Sequence, residues 1–348
     1  MPFTHTTGAL APQSALGYQE AIFPLVSRSF ALTIPQLPAP LNTVMTTAYL
    51  LCRIADTIED EPALSVAEKQ QYETTYIRVV LGEVDARQFC EALTPRLSDA
   101  SSAAERALLS QLPRVLEVLR TLDKSQQAAI VQCLRVMCPG MGDFQRNAGL
   151  QGLPTLAELK RYCYCVAGVV GEMFTELFFS FAPELAAHRA RMDSLAPSFG
   201  EGLQLTNILK DQWEDRQRGV CWLPQDLFAR HGVDLLSLQA STQPGYGPAL
   251  SELIGIAHAQ LRQAFDYTLL ITPEHRSLRF FCLHSIGLAI LTLRNLHRRA
   301  DFHCGAQVKV SRGLAAAAFK TLSALSADDA GLRTLFERAT RSLPLARP

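Results

Sequence analysis

Apolar residues recur along most of the chain with the three- and four-residue spacing of amphipathic helices, and the two-residue alternation of half-buried strands is missing. Proline and glycine interrupt this pattern without forming a stretch that resembles a domain linker. The pattern therefore predicts an all-α fold, a helical bundle in a single domain. The most apolar run, residues 278–293, contains Arg279 and His284 and is shorter than the roughly 20 residues that span a bilayer, so we expect a buried core helix there.

Two of the predicted helices carry polar side chains on a face where an apolar stripe would be expected. In each, the spacing of three or four residues places these side chains on one side of the helix. The first stripe consists of Tyr49, Arg53, Asp56 and Asp60. The second stripe consists of Gln204, Asn207, Asp211 and Asp215. The two stripes have the same design although they lie far apart in the chain.

Aspartates one helical turn apart repel each other, so such a face is unfavourable unless solvent or a cation compensates the charge. Magnesium prefers oxygen ligands, keeps several waters and is usually held by one or two carboxylates together with substrate phosphates. Two facing stripes are therefore suited to binding a magnesium diphosphate. Either stripe alone is also compatible with a solvated face that carries ordinary ion pairs. Their apolar surroundings favour the binding site, because buried charges need partners.

Composition and charge narrow the class of protein. The chain has 348 residues, of which 48% are hydrophobic and 19% charged, as is typical of globular proteins. The 33 basic residues balance 33 acidic ones, so the overall charge does not predict a nucleic-acid partner. The nine cysteines show no paired metal-binding spacing, and we expect them to be buried thiols in a reducing cytoplasm.

We predict three parts along the chain. Residues 1–19 lack the basic and apolar regions of a secretory signal and are expected to form a flexible arm. Residues 20–326 form the catalytic domain, and residues 327–348 form a polar tail that frays. No transmembrane segment is predicted in any of the three parts.

Four segments occur in an order that is typical of one enzyme family. Residues 27–30 read Ser-Arg-Ser-Phe, residues 56–60 Asp-Thr-Ile-Glu-Asp, and residues 211–215 Asp-Gln-Trp-Glu-Asp. Residues 162–172 begin with Tyr162 and contain Gly168 and Gly171. In order and separation these segments resemble the squalene and phytoene synthase family, the head-to-head trans-prenyl transferases. The resemblance covers residues 27–312 and implies the all-α isoprenoid synthase fold, a bundle around a central cavity.

The resemblance also implies roles for individual residues. Tyr162 would lie near the reacting carbons, where its ring could stabilise a carbocation, and it joins Arg53 and the four aspartates of the stripes as the predicted catalytic set. Magnesium is expected to contact Asp56, Glu59, Asp60, Asn207, Asp211, Glu214 and Asp215. The prenyl diphosphate substrates are expected to contact Ser27, Arg28, Phe30, Tyr49, Arg53, Tyr162, Gln204, Asn207, Lys210 and Arg218.

Details within the resemblance favour the squalene branch. Residues 56–60 and residues 137–144 resemble the squalene type, and residues 307–313 resemble its basic segment for the phosphate of NADPH, with Lys309 and Arg312 as the expected contacts. The alternative for this segment is an ordinary basic loop. A Gly-rich strand-turn-helix fingerprint is missing, so a dinucleotide site would not be of the Rossmann kind. We therefore expect two farnesyl diphosphates to be condensed through presqualene diphosphate and reduced to squalene with NADPH.

Alternatives remain open from the sequence. Residues 169–172 are closer to bacterial carotenoid-type sequences, which favours dehydrosqualene or phytoene synthesis without reduction. A non-catalytic helical scaffold could share the fold, although both aspartate motifs are intact.

Terpene cyclases and head-to-tail transferases also pair aspartate-rich helices, but residues 27–30 and 162–172 resemble the head-to-head family. A C-terminal membrane anchor like that of eukaryotic squalene synthases is not expected, so we expect a cytoplasmic enzyme with peripheral membrane contact for product release.

Overall fold

The computed structural model describes residues 14–27, 30–146 and 148–346. Within these ranges the secondary structure is helical, apart from a single bridge between Leu153 and Pro224, so the all-α prediction is confirmed. A π-helical stretch, Tyr164–Gly168, connects α8 to α9. The α-helices are α1 (Ala15–Val26), α2 (Ala39–Asp60), α3 (Val66–Val80), α4 (Ala86–Leu93), α5 (Ala103–Ser110), α6 (Leu112–Thr121), α7 (Lys124–Arg146), α8 (Leu156–Cys163), α9 (Val169–Phe181), α10 (Arg189–Gln217), α11 (Gln225–Arg230), α12 (Tyr246–Leu270), α13 (Arg276–Arg298), α14 (Arg312–Leu325) and α15 (Asp329–Thr340).

The two acidic stripes lie on helices α2 and α10, which are both part of the core. Helix α10 packs against α8, α9, α12 and α13, and helix α2 packs against α3, α7 and α9. The apolar faces of both helices are buried, with Leu50 and Ile54 on α2 and Leu205 and Leu209 on α10. Because α9 contacts both helices, it fixes the position of one stripe relative to the other.

Glycines allow the backbones of two neighbouring elements to touch. A Cβ atom added to Gly200 of α10 would lie 1.8 Å from the carbonyl oxygen of Ala167 in the π-helical stretch. A Cβ atom added to Gly171 of α9 would lie 2.1 Å from the carbonyl oxygen of Ala196. Helical carbonyls cannot retreat without disturbing their hydrogen bonds, so both positions require glycine. This contact holds α8 and α9 directly on the helix that carries the second stripe.

The predicted core helix over residues 278–293 is confirmed as part of α13, in which Leu278, Phe281 and Leu293 are fully buried. Two apolar stretches, Leu156–Phe181 and α13, are long and apolar enough to cross a membrane by length and composition. In the protein, 50% and 67% of their most apolar windows are buried. Burial of this extent is what core helices of a packed bundle show, so these stretches are weak evidence for membrane spans.

The ends of the chain differ from the predicted arm and tail. Helix α1 begins at Ala15, and Gln19 is fully buried with its amide donating to Thr47 Oγ1 at 3.2 Å. Residues 15–19 therefore belong to the bundle, while residues 1–13 lie outside the described residues. At the other end, α15 buries Leu332 and Phe336, and Phe336 stacks on Phe265 at 4.4 Å.

The prediction of a fraying tail is wrong because apolar residues four positions apart give α15 a face that packs. A buried cation fixes the start of this helix. Arg279 of α13 is fully buried and donates to the carbonyl oxygen of Ser326 at 3.1 Å and to the carboxylate of Asp329. Breaking such a pair would leave a charge buried without a partner, so the contact holds α15 firmly.

We expect Gly200→Ala to destabilise the protein, because the added methyl group would overlap the Ala167 carbonyl unless α9 moves away from α10. The free energy of unfolding should fall by at least about 2 kcal/mol in chemical denaturation. Gly247→Ala is the matched control, since a Cβ atom there meets no atom within 4 Å. Alanine has the better helix propensity, so the control should be neutral or stabilising. Equal stability of the two variants would contradict the close contact.

Candidate active site

The C-terminal ends of the two acidic helices lie within electrostatic range of each other. Asp60 is the last residue of α2, and Asp215 lies in the last turn of α10. Burial raises the pKa of Asp215, and the negative charges of Asp211 and Asp60 add to this shift, while Arg218 opposes it. Burial also raises the pKa of Asp60, and Arg218 again opposes the shift. The structure therefore brings the two predicted stripes together at their ends, with Arg218 beside both.

The carboxylates of the first stripe are enclosed by protein but remain reachable by solvent. The side chain of Asp56 is 38% exposed, yet burial raises its pKa to about 7, with Asp60 adding to the shift and Arg53 opposing it. Burial, followed by repulsion from Asp60 and Asp56, raises the pKa of Glu59 well above its ordinary value. These shifts indicate negative charge that the protein does not fully compensate, and a bound cation would reverse them.

Arg53 is held between two carboxylates. Its Nη1 lies 3.7 Å from Asp56 Oδ2, and its Nη2 donates to Glu105. Glu105 also closes the capping box of α5 with Ser102, which fixes the carboxylate that receives the guanidinium. A phosphate contact by Arg53, as predicted from the sequence, would therefore compete with two existing ion pairs.

The polar residues at the end of α10 contact two different sets of partners. Lys210 Nζ lies 3.0 Å from Asp211 Oδ2 and 3.5 Å from Asn207 Oδ1. Glu214 instead accepts the backbone N–H of Gly305 at 2.8 Å. A Cβ atom on Gly305 would lie 3.1 Å from Asp211 Oδ1, so glycine lets this turn approach the stripe. Glu214 therefore anchors the segment after α13, a role that its predicted metal contact did not include.

Tyr162 lies close to both acidic motifs. Its ring stacks on Trp222, with centroids 4.3 Å apart and planes 11° apart, and meets Phe144 edge-on at 5.2 Å. Burial raises the pKa of its phenol well above the ordinary value, and the charges of Glu59, Asp60 and Asp215 add to the shift. The phenol is therefore protonated at neutral pH. Tyr162 is followed within two residues by the π-helical stretch, a distortion that is frequent at functional sites.

The predicted substrate segment at residues 27–30 leads into an aromatic cluster. The ring of Phe30 stacks on Phe281 at 5.6 Å and lies 5.8 Å from Tyr49. The hydroxyl group of Tyr49 donates to the carbonyl oxygen of Val26 at 3.2 Å, and Ser27 is buried. Ser27, Phe30 and Tyr49 are thus brought together, whereas Arg28 lies outside the described residues.

The remaining predicted contacts lie nearer the surface. Gln204 is half-buried and Asn207 is exposed. Lys309 and Arg312 are exposed, and neither forms an ion pair with any residue that the structure describes. The turn before them is anchored by Gly305 on Glu214, and by the side chain of Asn295, which donates to the carbonyl oxygen of Val308 at 3.0 Å. The two basic residues therefore come directly after a turn that is fixed to α10.

A cavity of about 630 Å³ lies at the end of α7 and the start of α8. Phe144, which contacts the ring of Tyr162, forms part of its wall. Its two arginines, Arg146 and Arg161, pair with the acidic side chains of Asp143 and Glu158. None of the predicted aspartates lines this cavity, and no pattern in the sequence pointed to it.

Several residues that hold the site were not predicted from the sequence. Lys69 of α3 donates to the carbonyl oxygen of Glu59, and Glu105 receives Arg53. Nothing in the sequence indicated a role for either residue, because both lie in ordinary charged helical segments. Trp222 stacks on Tyr162, and its position just after the second acidic helix could have pointed to it.

The structure is thus an all-α bundle in which two acidic helix ends lie near a buried tyrosine. The family model described as squalene/phytoene synthase matches residues 23–313. The chain therefore belongs to the squalene/phytoene synthase family, a family of prenyltransferases.

Curated squalene synthases are among the relatives of this chain. Squalene synthase ERG9 of Gibberella zeae is 34% identical over 214 residues, which cover 60% of this chain and 43% of that protein. Squalene synthase BSS of Botryococcus braunii is 28% identical over 311 residues, which cover 86% of this chain and 63% of that protein. The chain thus spans less than two-thirds of the length of these relatives.

Solved structures of related proteins share the fold. TcSQS in complex with the ligand BPH1237 gives a TM-score of 0.76 at 24% identity and covers 96% of this chain and 94% of that chain. A dehydrosqualene synthase in complex with a ligand gives a TM-score of 0.63 at 22% identity, over 89% of this chain and 95% of that chain. These likenesses establish the helical architecture of the family.

We expect Glu73→Gln to change how stability depends on pH. Glu73 of α3 is 2% exposed, and burial raises its pKa to about 8 while Lys69 opposes the shift. Between the unfolded and folded pKa values the folded protein holds a proton that unfolding releases, so wild-type stability falls as pH rises through this range. The variant lacks this group, and its stability relative to wild type should rise by up to about 1.4 kcal/mol per pH unit between pH 5 and pH 8.

Thermal or chemical unfolding at pH 5.5, 7 and 8.5 measures this difference. Glu117→Gln, a substitution at an exposed position of α6, is the matched control for the loss of a carboxylate, and its difference from wild type is the reference at each pH. A pH-independent difference for Glu73→Gln would contradict a protonated Glu73.

Proposed function

We propose that this chain joins two farnesyl diphosphates head to head through presqualene diphosphate and reduces the product to squalene with NADPH. The observation that carries the proposal is the meeting of Asp60, Asp215 and Tyr162 in a chain whose curated relatives are squalene synthases. Synthesis of dehydrosqualene or phytoene without reduction is the second candidate, which the carotenoid-type residues 169–172 favour. A non-catalytic scaffold is disfavoured by two intact aspartate motifs.

The donor set of the two stripes fits magnesium. Asp56, Asp60, Asp211 and Asp215 offer carboxylate oxygens, the ligands that this ion prefers. Burial, with a contribution from neighbouring carboxylates, raises the pKa values of Asp56 and Asp215, and a bound cation would oppose this shift. In the described part of the chain, no group of three or more His, Cys, Asp or Glu side chains converges on one point. Magnesium is compatible with such an arrangement because water and substrate phosphates supply most of its ligands.

Glu59, Asn207 and Glu214 would support the four aspartates. Bound magnesium would supply positive charge that weakens the allylic C–O bond of the diphosphate. The protein's part is to hold the carboxylates at a fixed separation, which the contact of α9 with both α2 and α10 provides.

Lys210 and Arg218 would bind diphosphate oxygens by exchanging partners. Lys210 now pairs with Asp211 and Arg218 with Asp215, and the side chain of Arg218 is 68% exposed. With a cation on the aspartates, both basic side chains would be released to bind phosphate oxygens, which arginine binds with a bidentate fork. Arg53 would orient the Asp56 carboxylate through their 3.7 Å contact and would keep its ion pair with Glu105.

Tyr162 would act as a neutral phenol next to the reacting carbons. Its raised pKa excludes a phenolate at neutral pH, so it is not an anionic base. The negative faces of Tyr162 and Trp222 can stabilise an allylic cation. Buried and half-buried apolar side chains would exclude water that otherwise quenches the cation. The candidates are the buried Leu50, Ile54 and Leu205 and the half-buried Phe30 and Val166.

Lys309 and Arg312 would bind the phosphate groups of NADPH. Both are exposed, and they come directly after the turn that Glu214 holds against α10. This arrangement would place the charged part of the dinucleotide near the second acidic motif without a Rossmann fold. We further propose a cytoplasmic enzyme that contacts the membrane surface for product release.

Purified protein incubated with farnesyl diphosphate and magnesium should release squalene only when NADPH is added, as measured by mass analysis of the extracted hydrocarbon. Without NADPH, presqualene diphosphate should accumulate, because the hydride that completes the reaction is missing. Dehydrosqualene formed regardless of NADPH would support the second candidate. Turnover of neither farnesyl nor geranylgeranyl diphosphate would favour the scaffold.

Asp215→Asn and Asp56→Asn should each lower turnover of farnesyl diphosphate by at least roughly 100-fold, because each removes one charge that stabilises the metal-bound diphosphate. Folding should be retained, since both substitutions remove repulsion within the stripes. Asp99→Asn is the control, as this side chain is fully exposed on the surface and should have wild-type activity. Wild-type rates in either stripe variant would rule out the magnesium site.

A further inference from the structure

The end of α2 leaves several main-chain carbonyl groups without helical partners, and that of Glu59 is one of them. The next N–H group in the helical pattern after Glu59 belongs to Ala63, but it donates to Glu61 Oε1 at 2.9 Å instead. Pro62 has no N–H group to offer. The side chain of Glu61 is itself fixed, because it also accepts the N–H of Ser98 at 2.9 Å. The carbonyl oxygen of Glu59, in the centre of the first acidic motif, is therefore open to side chains.

Two side chains from different helices donate to this oxygen. Gln145 Nε2, near the end of α7, lies 2.9 Å from it, and Lys69 Nζ, in the first turns of α3, also contacts it. A carbonyl oxygen has two lone pairs, so the two donors saturate it. The carbonyl group that directly precedes Asp60 is thus tied to both helices that flank α2.

Lys69 adds positive charge near the first acidic motif without forming an ion pair with its carboxylates. It lies within electrostatic range of Glu59, Asp60 and Glu73. Among the described residues, however, no ion pair within 4.0 Å joins Lys69 to a carboxylate, since its ammonium group donates to the main chain. This arrangement reduces repulsion between the acidic side chains while it leaves their oxygens free for another cation.

We propose that Lys69 and Gln145 are positioning residues for the first acidic motif, which hold the carbonyl group of Glu59 and thereby fix the direction of the Asp60 and Asp56 side chains. The inference rests on the proposed function, because it assigns these carboxylates to magnesium diphosphate. Neither residue contacts the diphosphate itself. Their effect is to keep the end of α2 from fraying or rotating when the charge of the motif changes.

Gln70 provides a matched control within the same two helices. Its Nε2 donates to the carbonyl oxygen of Gly142 at 3.2 Å, so it also ties α3 to α7 by a single amide hydrogen bond. Within the described residues, its side-chain hydrogen bond goes to α7 and not to α2. Gln70→Leu therefore removes a comparable link between α3 and α7 and leaves the Glu59 carbonyl group bound.

The test compares Gln145→Leu, Lys69→Met, Lys69→Arg and Gln70→Leu in the full chain. Calorimetry measures binding of inorganic pyrophosphate as a function of magnesium concentration, and steady-state kinetics with farnesyl diphosphate separate kcat from KM. Gln145→Leu and Lys69→Met should weaken magnesium-dependent pyrophosphate binding by roughly 10- to 100-fold, the range found when residues that orient metal ligands are removed. Lys69→Arg should recover part of the loss, and Gln70→Leu should bind as wild type does.

Thermal unfolding identifies any variant that fails to fold, and Gln145→Leu keeps the test valid should Lys69→Met be such a variant. The inference would be overturned if Gln145→Leu bound magnesium pyrophosphate as tightly as Gln70→Leu does. The proposed function would be unaffected by that result as long as the wild-type protein turns over farnesyl diphosphate. Wild-type protein that binds magnesium pyrophosphate with the predicted variant effects, but forms no hydrocarbon, would support the positioning role and refute the proposed function. Wild-type protein that binds no magnesium pyrophosphate would refute both.

Discussion

The site depends on negative charge held at two helix C-termini. The dipoles of α2 and α10 place partial negative charge where Asp60 and Asp215 lie, and an acidic side chain there is disfavoured by roughly 0.3–1 kcal/mol. Three cations, Arg218 at the end of α10, Arg53 on α2 and Lys69 on α3, compensate part of this charge. The compensation is incomplete, because the pKa of Asp60 remains raised by burial. A site built in this way gains stability when a divalent cation binds.

Like charges stay close together only on a scaffold that resists their repulsion. Here the backbone contacts at Gly171 and Gly200 hold α9 and the π-helical stretch against α10, and α9 in turn packs against α2. The same contacts place Tyr162 beside both motifs, since its helix continues directly into the π-helical stretch. The carboxylates proposed to bind magnesium and the residue proposed to face the reacting carbons are therefore positioned by one set of helix contacts.

Local periodicity made part of the fold and of the site predictable from the sequence. The spacing of Asp56 and Asp60 assigned them to one face of a helix, and the apolar run around Phe281 predicted a core helix, because both patterns are set by 3.6 residues per turn. The partners of these residues were not predictable in this way. Arg53 meets Glu105 across 52 residues of sequence, a pairing that only the tertiary packing of α2 on α5 creates. Helix α15 was missed because two apolar residues, Leu332 and Phe336, were too weak a pattern beside its charged residues.

Glu214 links the two halves of the proposed chemistry. From the sequence, Glu214 was expected to contact the metal together with Asp211 and Asp215. In the structure it accepts the N–H group of Gly305, so its contact differs from those of the two aspartates. The turn at Gly305 leads within a few residues to Lys309 and Arg312. A change in the last turns of α10 when a cation binds would therefore reach the basic segment through a single hydrogen bond. Binding of the diphosphate and placement of the dinucleotide would then be coupled, since both depend on the same helix end.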